Sequence, residues 1–324
     1  MFDAGNCAVV PDTTTTDAGV AGAGTLLSYI ITNFISLTLS ATIILLNYKK
    51  STSAPIPRKL LLSFSDQQIV TGIGIQSIAL SKMKSMTPYH FFIVWLLAML
   101  STATNLSTLL ALVNDFKRDW VLRWMRQFFM LVNLVLGCLM GIFILQSVMK
   151  DVEPRLPIAC VWKVAARGTP SNGAVSIVGT IAVISANAIL FVASTWYLHM
   201  RRNPQWIKTV QVIGLIMLIA MGVGATVRII MISQAFGTPP ASVRLVGTSE
   251  KDWGYGQLLS LLLLVLPVIS TVEIIRGETR IPTSSVDEEV RPLFQDGEMA
   301  VGGNEGYEFQ PNPLWGSRTQ LVKG

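Results

Sequence analysis

Residues 91–113 read FFIVWLLAMLSTATNLSTLLALV, 23 residues without one ionisable side chain. As a helix rising about 1.5 Å per residue, this stretch is long enough to cross a hydrocarbon layer of about 30 Å. Six further apolar runs of similar length flank it, at residues 25–47 and 60–80 before it and at 128–149, 174–197, 210–232 and 257–275 after it. The 324-residue chain is 51% hydrophobic and 14% charged, with a mean hydropathy of +0.53. An average soluble domain is about one quarter charged. The runs are continuous and lack apolar/polar alternation, which excludes a β-barrel and leaves helices as the structure that satisfies every backbone group within lipid. The expected fold class is all-α: a polytopic membrane protein with a seven-transmembrane helix bundle.

The threading follows from the distribution of charge. With the N-terminus outside and the C-terminus cytoplasmic, 16 Lys and Arg fall on the inner side and only 8 on the outer side, the bias that anionic inner leaflets favour. Residues 1–24 contain no Lys or Arg, so nothing opposes their translocation. Three regions result: an extracellular or lumenal segment over 1–24, a seven-helix transmembrane domain over 25–275, and a tail over 276–324. The tail has more acidic than basic residues, 8 against 5, and carries Pro282, Pro292, Pro311 and Pro313. Its composition reads as a disordered, solvating cytoplasmic segment, with Thr283, Ser284 and Ser285 as the residues a docking or modification role would use. The basic body is accounted for by lipid headgroups, the bilayer being the expected partner, and no nucleic-acid partner is indicated.

Of three cysteines, Cys138 lies within a predicted span, whereas Cys7 and Cys160 both fall on the outer, oxidising side and are candidates for a disulfide. Neither His90 nor His199 has a second ligand at helical spacing, so no metal site and no cofactor are expected. The seventh run contains no Lys, which excludes a retinal Schiff base.

Polar residues inside the spans are the candidate site. Asp66 lies about 9 Å in from the cytoplasmic end of the second span, and Asn105 about 12 Å from the same side of the third, using a rise of about 1.5 Å per residue. The two share a level. Thr102 and Thr108 stand three residues either side of Asn105, and Gln67 and Gln68 follow Asp66, so these six residues form an expected intramembrane polar cluster. Its structural role would be to hold two helices in register; its functional role would be a ligand, proton or cation site. Arg228 and Glu273 sit near opposite membrane faces, where each side chain reaches the headgroups and no ion pair between them is expected.

The run Leu62-Ser63-Phe64-Ser65-Asp66-Gln67-Gln68-Ile69-Val70-Thr71-Gly72-Ile73, with the segment from Asp17 to Gly22, Tyr29, Tyr89-His90, the stretch 100–110 and Arg123-Trp124-Met125, resembles a group of filamentous-fungal seven-transmembrane proteins. Their signature is Ser-Asp-Gln-Gln followed by Thr-Gly in the second span. Residues 15–150 carry the resemblance, and the remainder follows by hydropathy. Where the group has His, this chain has Asn105, so if an Asp and His pair carries proton chemistry in the group, the resemblance implies that this chain keeps only the hydrogen bond. The resemblance, with some members encoded in or near secondary-metabolite gene clusters, implies a non-enzymatic orphan sensor or accessory component in fungal secondary metabolism. Such a protein would take a small hydrophobic ligand or a cytoplasmic partner protein, in the plasma membrane or an endomembrane. The enzyme alternative is a membrane-embedded terpene-cyclase-like protein with Asp66 as its acid. A transporter is disfavoured because neither an internal repeat nor broken helices are expected.

Overall fold

In a computed structural model, residues 7–48, 55–118, 120–168, 173–199 and 206–276 are described; the tail with Thr283, Ser284 and Ser285 lies outside them. The elements are β1 (Thr14–Thr15), α1 (Ala18–Ala21), α2 (Ala23–Tyr48), α3 (Pro55–Ser81), α4 (Pro88–Ala111), α5 (Val113–Arg118), α6 (Trp120–Met149), α7 (Gly173–His199), α8 (Trp206–Ile232), β2 (Leu245–Val246), α9 (Tyr255–Leu262) and α10 (Val265–Ile275). Among the described residues, six helices are long and apolar enough to cross a membrane: Ala18–Tyr48, Pro88–Ala111, Arg123–Met149, Ser176–His199, Lys208–Ile232 and Tyr255–Glu273. The predicted second span, α3, forms a helix of sufficient length but is not among the six. Ser63, Ser65, Asp66, Gln67, Gln68 and Gln76 dilute its apolar character.

The stretch quoted at the outset becomes the axis of the bundle. Pro88 follows Thr87 at the start of α4, a position where its missing N–H costs nothing. From there to Ala111, every residue except Pro88 and Phe92 is buried, because α2, α3, α6, α7 and α8 all pack on α4. A helix hydrophobic on all sides is expected at such a place. The outer helices show the converse pattern, with large side chains such as Phe34, Val70, Ile189 and Ile216 exposed on the bundle's perimeter. Two apolar cores flank the middle of α4, one around Leu26, Phe91, Leu97 and Ile229 and the other around Leu61, Leu106, Leu110 and Leu218.

The last apolar run is not one continuous helix, contrary to the expectation of unbroken spans. It divides at Leu263 and Leu264 into α9 and α10. Pro267 is the cause: it has no N–H to give Leu263, four residues earlier, and its ring crowds that carbonyl. Tighter bonds bridge the break, from Leu264 N to Leu261 O at 3.0 Å and from Leu266 N to Leu263 O at 3.4 Å.

At one end of the bundle, the N-terminal segment and the connections after α3, α6 and α8 knit into a single cap. Strands β1 and β2 pair in parallel, Thr14 with Leu245 and Thr15 with Val246. A Cys7–Cys160 disulfide, with an S–S distance of 2.08 Å, ties the N-terminal segment to the connection after α6. The amides of Ile158 and Ala159 donate to the carbonyls of Met86 and Met83 at 2.8 and 3.1 Å. Lys82 pairs with Asp17 at 3.0 Å. Glu153 accepts from Arg155 and Arg167, and these hydrogen bonds hold its carboxyl below the usual carboxylate range. At the opposite end Arg58 grips both oxygens of Asp115, at 3.0 and 2.9 Å.

The disulfide closes a loop of 153 residues, and a crosslink of this kind contributes roughly 2–4 kcal/mol. Cys160→Ser is therefore expected to lower the thermal transition of the purified protein by roughly 5 °C and to open residues 7–22 to protease. An unchanged transition with an unchanged cleavage pattern would show that the tether contributes nothing.

Candidate functional site

Along α3 the inward positions are Leu61, Phe64, Ser65, Gln68, Ile69, Gly72, Ile75, Gln76 and Ala79, the period of a helix with one face against α4 and α6. This register decides where each expected site residue goes. Ser65 and Gln68 point inward, whereas Asp66 is rotated outward, its side chain 55% exposed, and ion-pairs with Arg126 of α6. Asp66 and Asn105 therefore do not meet. Ser65 Oγ takes the place expected for Asp66, donating to Asn105 Oδ1 at 3.1 Å. Thr108 turns back on its own helix, donating to Thr104 O at 2.8 Å. Thr102 donates to Ala98 O at 2.8 Å and accepts from Asn133 Nδ2 at 3.2 Å.

Asn133, together with Gln76 and Ser101, is the part of this layer that the sequence did not announce. Gln76 Nε2 donates to Asn133 Oδ1 at 2.8 Å and to Gly72 O at 3.0 Å, and Ser101 Oγ donates to Gln68 O at 2.9 Å. On the other side of α4, Asn33 Nδ2 reaches Leu100 O at 2.9 Å and Thr104 Oγ1 at 3.1 Å. Helices α2, α3, α4 and α6 are thus pinned at one level by amides and hydroxyls. Gly72 permits the approach: a methyl group there would meet Ser101 Oγ and come within 2.9 Å of Asn133 Oδ1.

Gln67 and Gln68 also line a cavity of about 620 Å³ between α2, α3 and α9. Tyr29 and Thr71 line it with them, Ile75 and Leu263 supply apolar wall, and Trp253 and Gln257 stand at its capped end. Tyr29 Oη is buried and turns to Thr71, while Gln67 Oε1 and Gln68 Nε2 are buried without a hydrogen-bond partner. One amide acceptor and one amide donor are therefore unspent on residues that line the same space. In a water-poor setting each such group costs on the order of 1–3 kcal/mol. Gln257 fixes the capped end of the cavity, accepting from Gly24 N at 3.2 Å and donating to Asp252 O at 2.8 Å. The close contact requires glycine, since a methyl on Gly24 would run into the Gln257 carbonyl oxygen. Asp252 is the one ionisable carboxylate among the lining residues, and among the described residues no three His, Cys, Asp or Glu gather as a metal site would need.

A second polar centre lies under the cap and was also unannounced. Glu250, fully buried, accepts from Tyr89 Oη at 3.2 Å and lies 2.8 Å from His90 Nε2, while its backbone carbonyl accepts from Ala23 N at 3.1 Å. With Nε2 donating, a neutral imidazole leaves Nδ1 to accept from the Thr87 hydroxyl 3.1 Å away. Tyr89 Oη in turn accepts from Gln234 N at 2.9 Å. Nothing local marks Glu250, an acidic residue in a connecting segment; only the placement of Tyr89 and His90 at the start of a buried helix hints that a partner must cover them.

No family model, curated protein or solved structure matches the chain.

Asn133→Leu leaves Gln76 and Thr102 short of a partner, and a loss of about 1–2 kcal/mol is expected in denaturation of the purified protein; stability equal to the parent's would remove the polar layer from the account. Removing Glu250 is more damaging. Glu250→Ala strands the Tyr89 and His90 donors in a buried space at a cost of roughly 1–3 kcal/mol each, and Glu250→Gln, which keeps an acceptor, costs less; equal thermal transitions for the two variants would contradict this ranking.

Proposed function

We propose that the chain is a seven-span membrane protein, its capped end exoplasmic, and that the cavity between α2, α3 and α9 recognises a small neutral amphipathic molecule for a sensor or accessory role. The observation that carries this reading is the pair of unpartnered amide atoms, Gln67 Oε1 and Gln68 Nε2, on residues that line one cavity together with the Tyr29 hydroxyl. They match a ligand that brings its own carbonyl or hydroxyl groups on an apolar frame. The resemblance to filamentous-fungal seven-helix proteins adds secondary metabolism as the source of such a molecule.

The threading has independent support. A disulfide at the capped end suits an oxidising compartment, and Lys and Arg are twice as frequent toward the other side. The polar content of α3 does not argue against a crossing, since Ser65, Gln68 and Gln76 are buried against protein and Asp66 is paired with Arg126. The cyclase alternative gains nothing from the geometry: Asp66 is engaged by Arg126 and is not among the residues lining the cavity.

Protein purified from its native host is expected to carry a stoichiometric small molecule, recovered by extraction and mass spectrometry. Tyr29→Phe with Gln68→Leu removes two hydrogen-bonding groups, and recovery is expected to fall at least about tenfold, the equivalent of about 1.4 kcal/mol, while the variant stays monodisperse. Equal recovery from both proteins rejects the cavity as the site. Reporter tags on the two termini should face opposite compartments, and tags facing the same one reject the threading.

A further inference from the structure

Arg228 lies in α8 four residues before its end at Ile232, about 6 Å inside by the helical rise. It is exposed rather than packed away, and its guanidinium stands over the Phe92 ring, 6.0 Å from the centroid. No carboxylate among the described residues pairs with it. Glu250, the buried carboxylate under the cap, is committed to Tyr89 and His90. An arginine at membrane depth is costly and needs an anion, water or a route to the headgroups.

Arg228 also lines a second cavity, of about 260 Å³, separate from the one between α2 and α3. Phe92, Ile144 and Val148 form apolar wall, Ser147 and Ser242 supply hydroxyls, and Arg228 is the one permanently charged lining residue. Tyr89, also at its edge, has its hydroxyl already committed to Glu250 and Gln234. The volume is below the roughly 300–1,000 Å³ that encloses a whole drug-sized ligand. It suits a headgroup and the first carbons of a chain whose remainder stays in the bilayer. A guanidinium offers a rigid fork of donors to carboxylate or phosphate oxygens, and the neighbouring serines can donate to the same group.

We propose that this cavity at the capped end of α4, α6 and α8 binds the anionic head of an amphiphile, a carboxylate or a phosphate, with Arg228 as its counter-ion. The site is independent of the neutral-ligand cavity, so either can fail without the other.

The test uses the full chain in nanodiscs of phosphatidylcholine, with oleate added in one arm and phosphatidylglycerol included in the other, and reads retained adducts by native mass spectrometry. Parent protein is expected to hold one adduct in at least one arm, Arg228→Gln to weaken it at least about tenfold, and Arg228→Lys to fall between. Retention of oleate alone identifies a free carboxylate, and retention of phosphatidylglycerol alone a lipid phosphate. Ser147→Leu, which fills the cavity and leaves the charge in place, should weaken binding as well and serves if the Arg228 variants do not accumulate. Adducts equal in parent and variants, or none in either arm, overturn the proposal.

Discussion

A helix surrounded by protein on every side cannot send its polar side chains to water or to headgroups, and α4 is such a helix. Ser101, Thr102, Thr104, Asn105, Ser107 and Thr108 are all buried along its middle. Each hydroxyl or amide must be met from within the bundle or turned back on the helix's own carbonyls. Ser107 and Thr108 take the second course. Ser101, Thr102, Thr104 and Asn105 draw partners from α2, α3 and α6, and this demand sets the azimuth of each neighbour around the axis. The apolar cores on either side of the layer bind the helices together without fixing their rotation, because packing of aliphatic side chains is tolerant of small rearrangements; directional hydrogen bonds are not.

The cap works by a related logic at the end of the bundle. Its four segments bury a small apolar cluster around Val152, Leu156 and Val161, and Glu250 gives them a further reason to close. Once Tyr89 and His90 begin a buried helix, their polar tips need an acceptor, and Glu250 meets both from above. The strand pair, the Lys82–Asp17 ion pair and the disulfide then act on segments already held near one another. Exposed ion pairs alone are worth little, so the buried carboxylate and the covalent tether are the parts that matter most to the cap's order.

The sequence made the helices legible and left their rotation illegible. Apolar runs of about twenty residues mark α2, α4, α6, α7 and α8 because lipid and a buried axis both demand them. The level of Ser65, Asp66 and Asn105 could be read from a constant rise per residue. Which of two adjacent residues faces the neighbour could not, since a step of one residue turns a helix by about 100°, and so Ser65 stands where Asp66 was expected. Asn133 was hidden for the opposite reason: a single amide in an apolar run is too small a departure to register. Arg126 precedes the apolar run at 128–149, yet it is a buried partner because α6 begins earlier than that run does. Glu250 depended on contacts between segments 160 residues apart, which no local pattern encodes.

The break between α9 and α10 connects these threads. Freed backbone groups at membrane depth are tolerated where they are buried in protein or line a cavity, and Leu263, at the break, is a lining residue of the α2–α3–α9 cavity. Pro267 alone explains why the helix divides, but not why the division falls beside the space that Tyr29, Gln67 and Gln68 leave unfilled. Discontinuous helices place backbone dipoles and carbonyls where a continuous helix would bury them in its own bonds. Here the Leu263 carbonyl accepts a 3.4 Å bond from Leu266 N in place of the one that Pro267 cannot give. Residues of α2, α3 and the broken helix thus line one cavity together, and Gln257, bonded to Gly24 and Asp252, ties α9 to the start of α2 at its capped end.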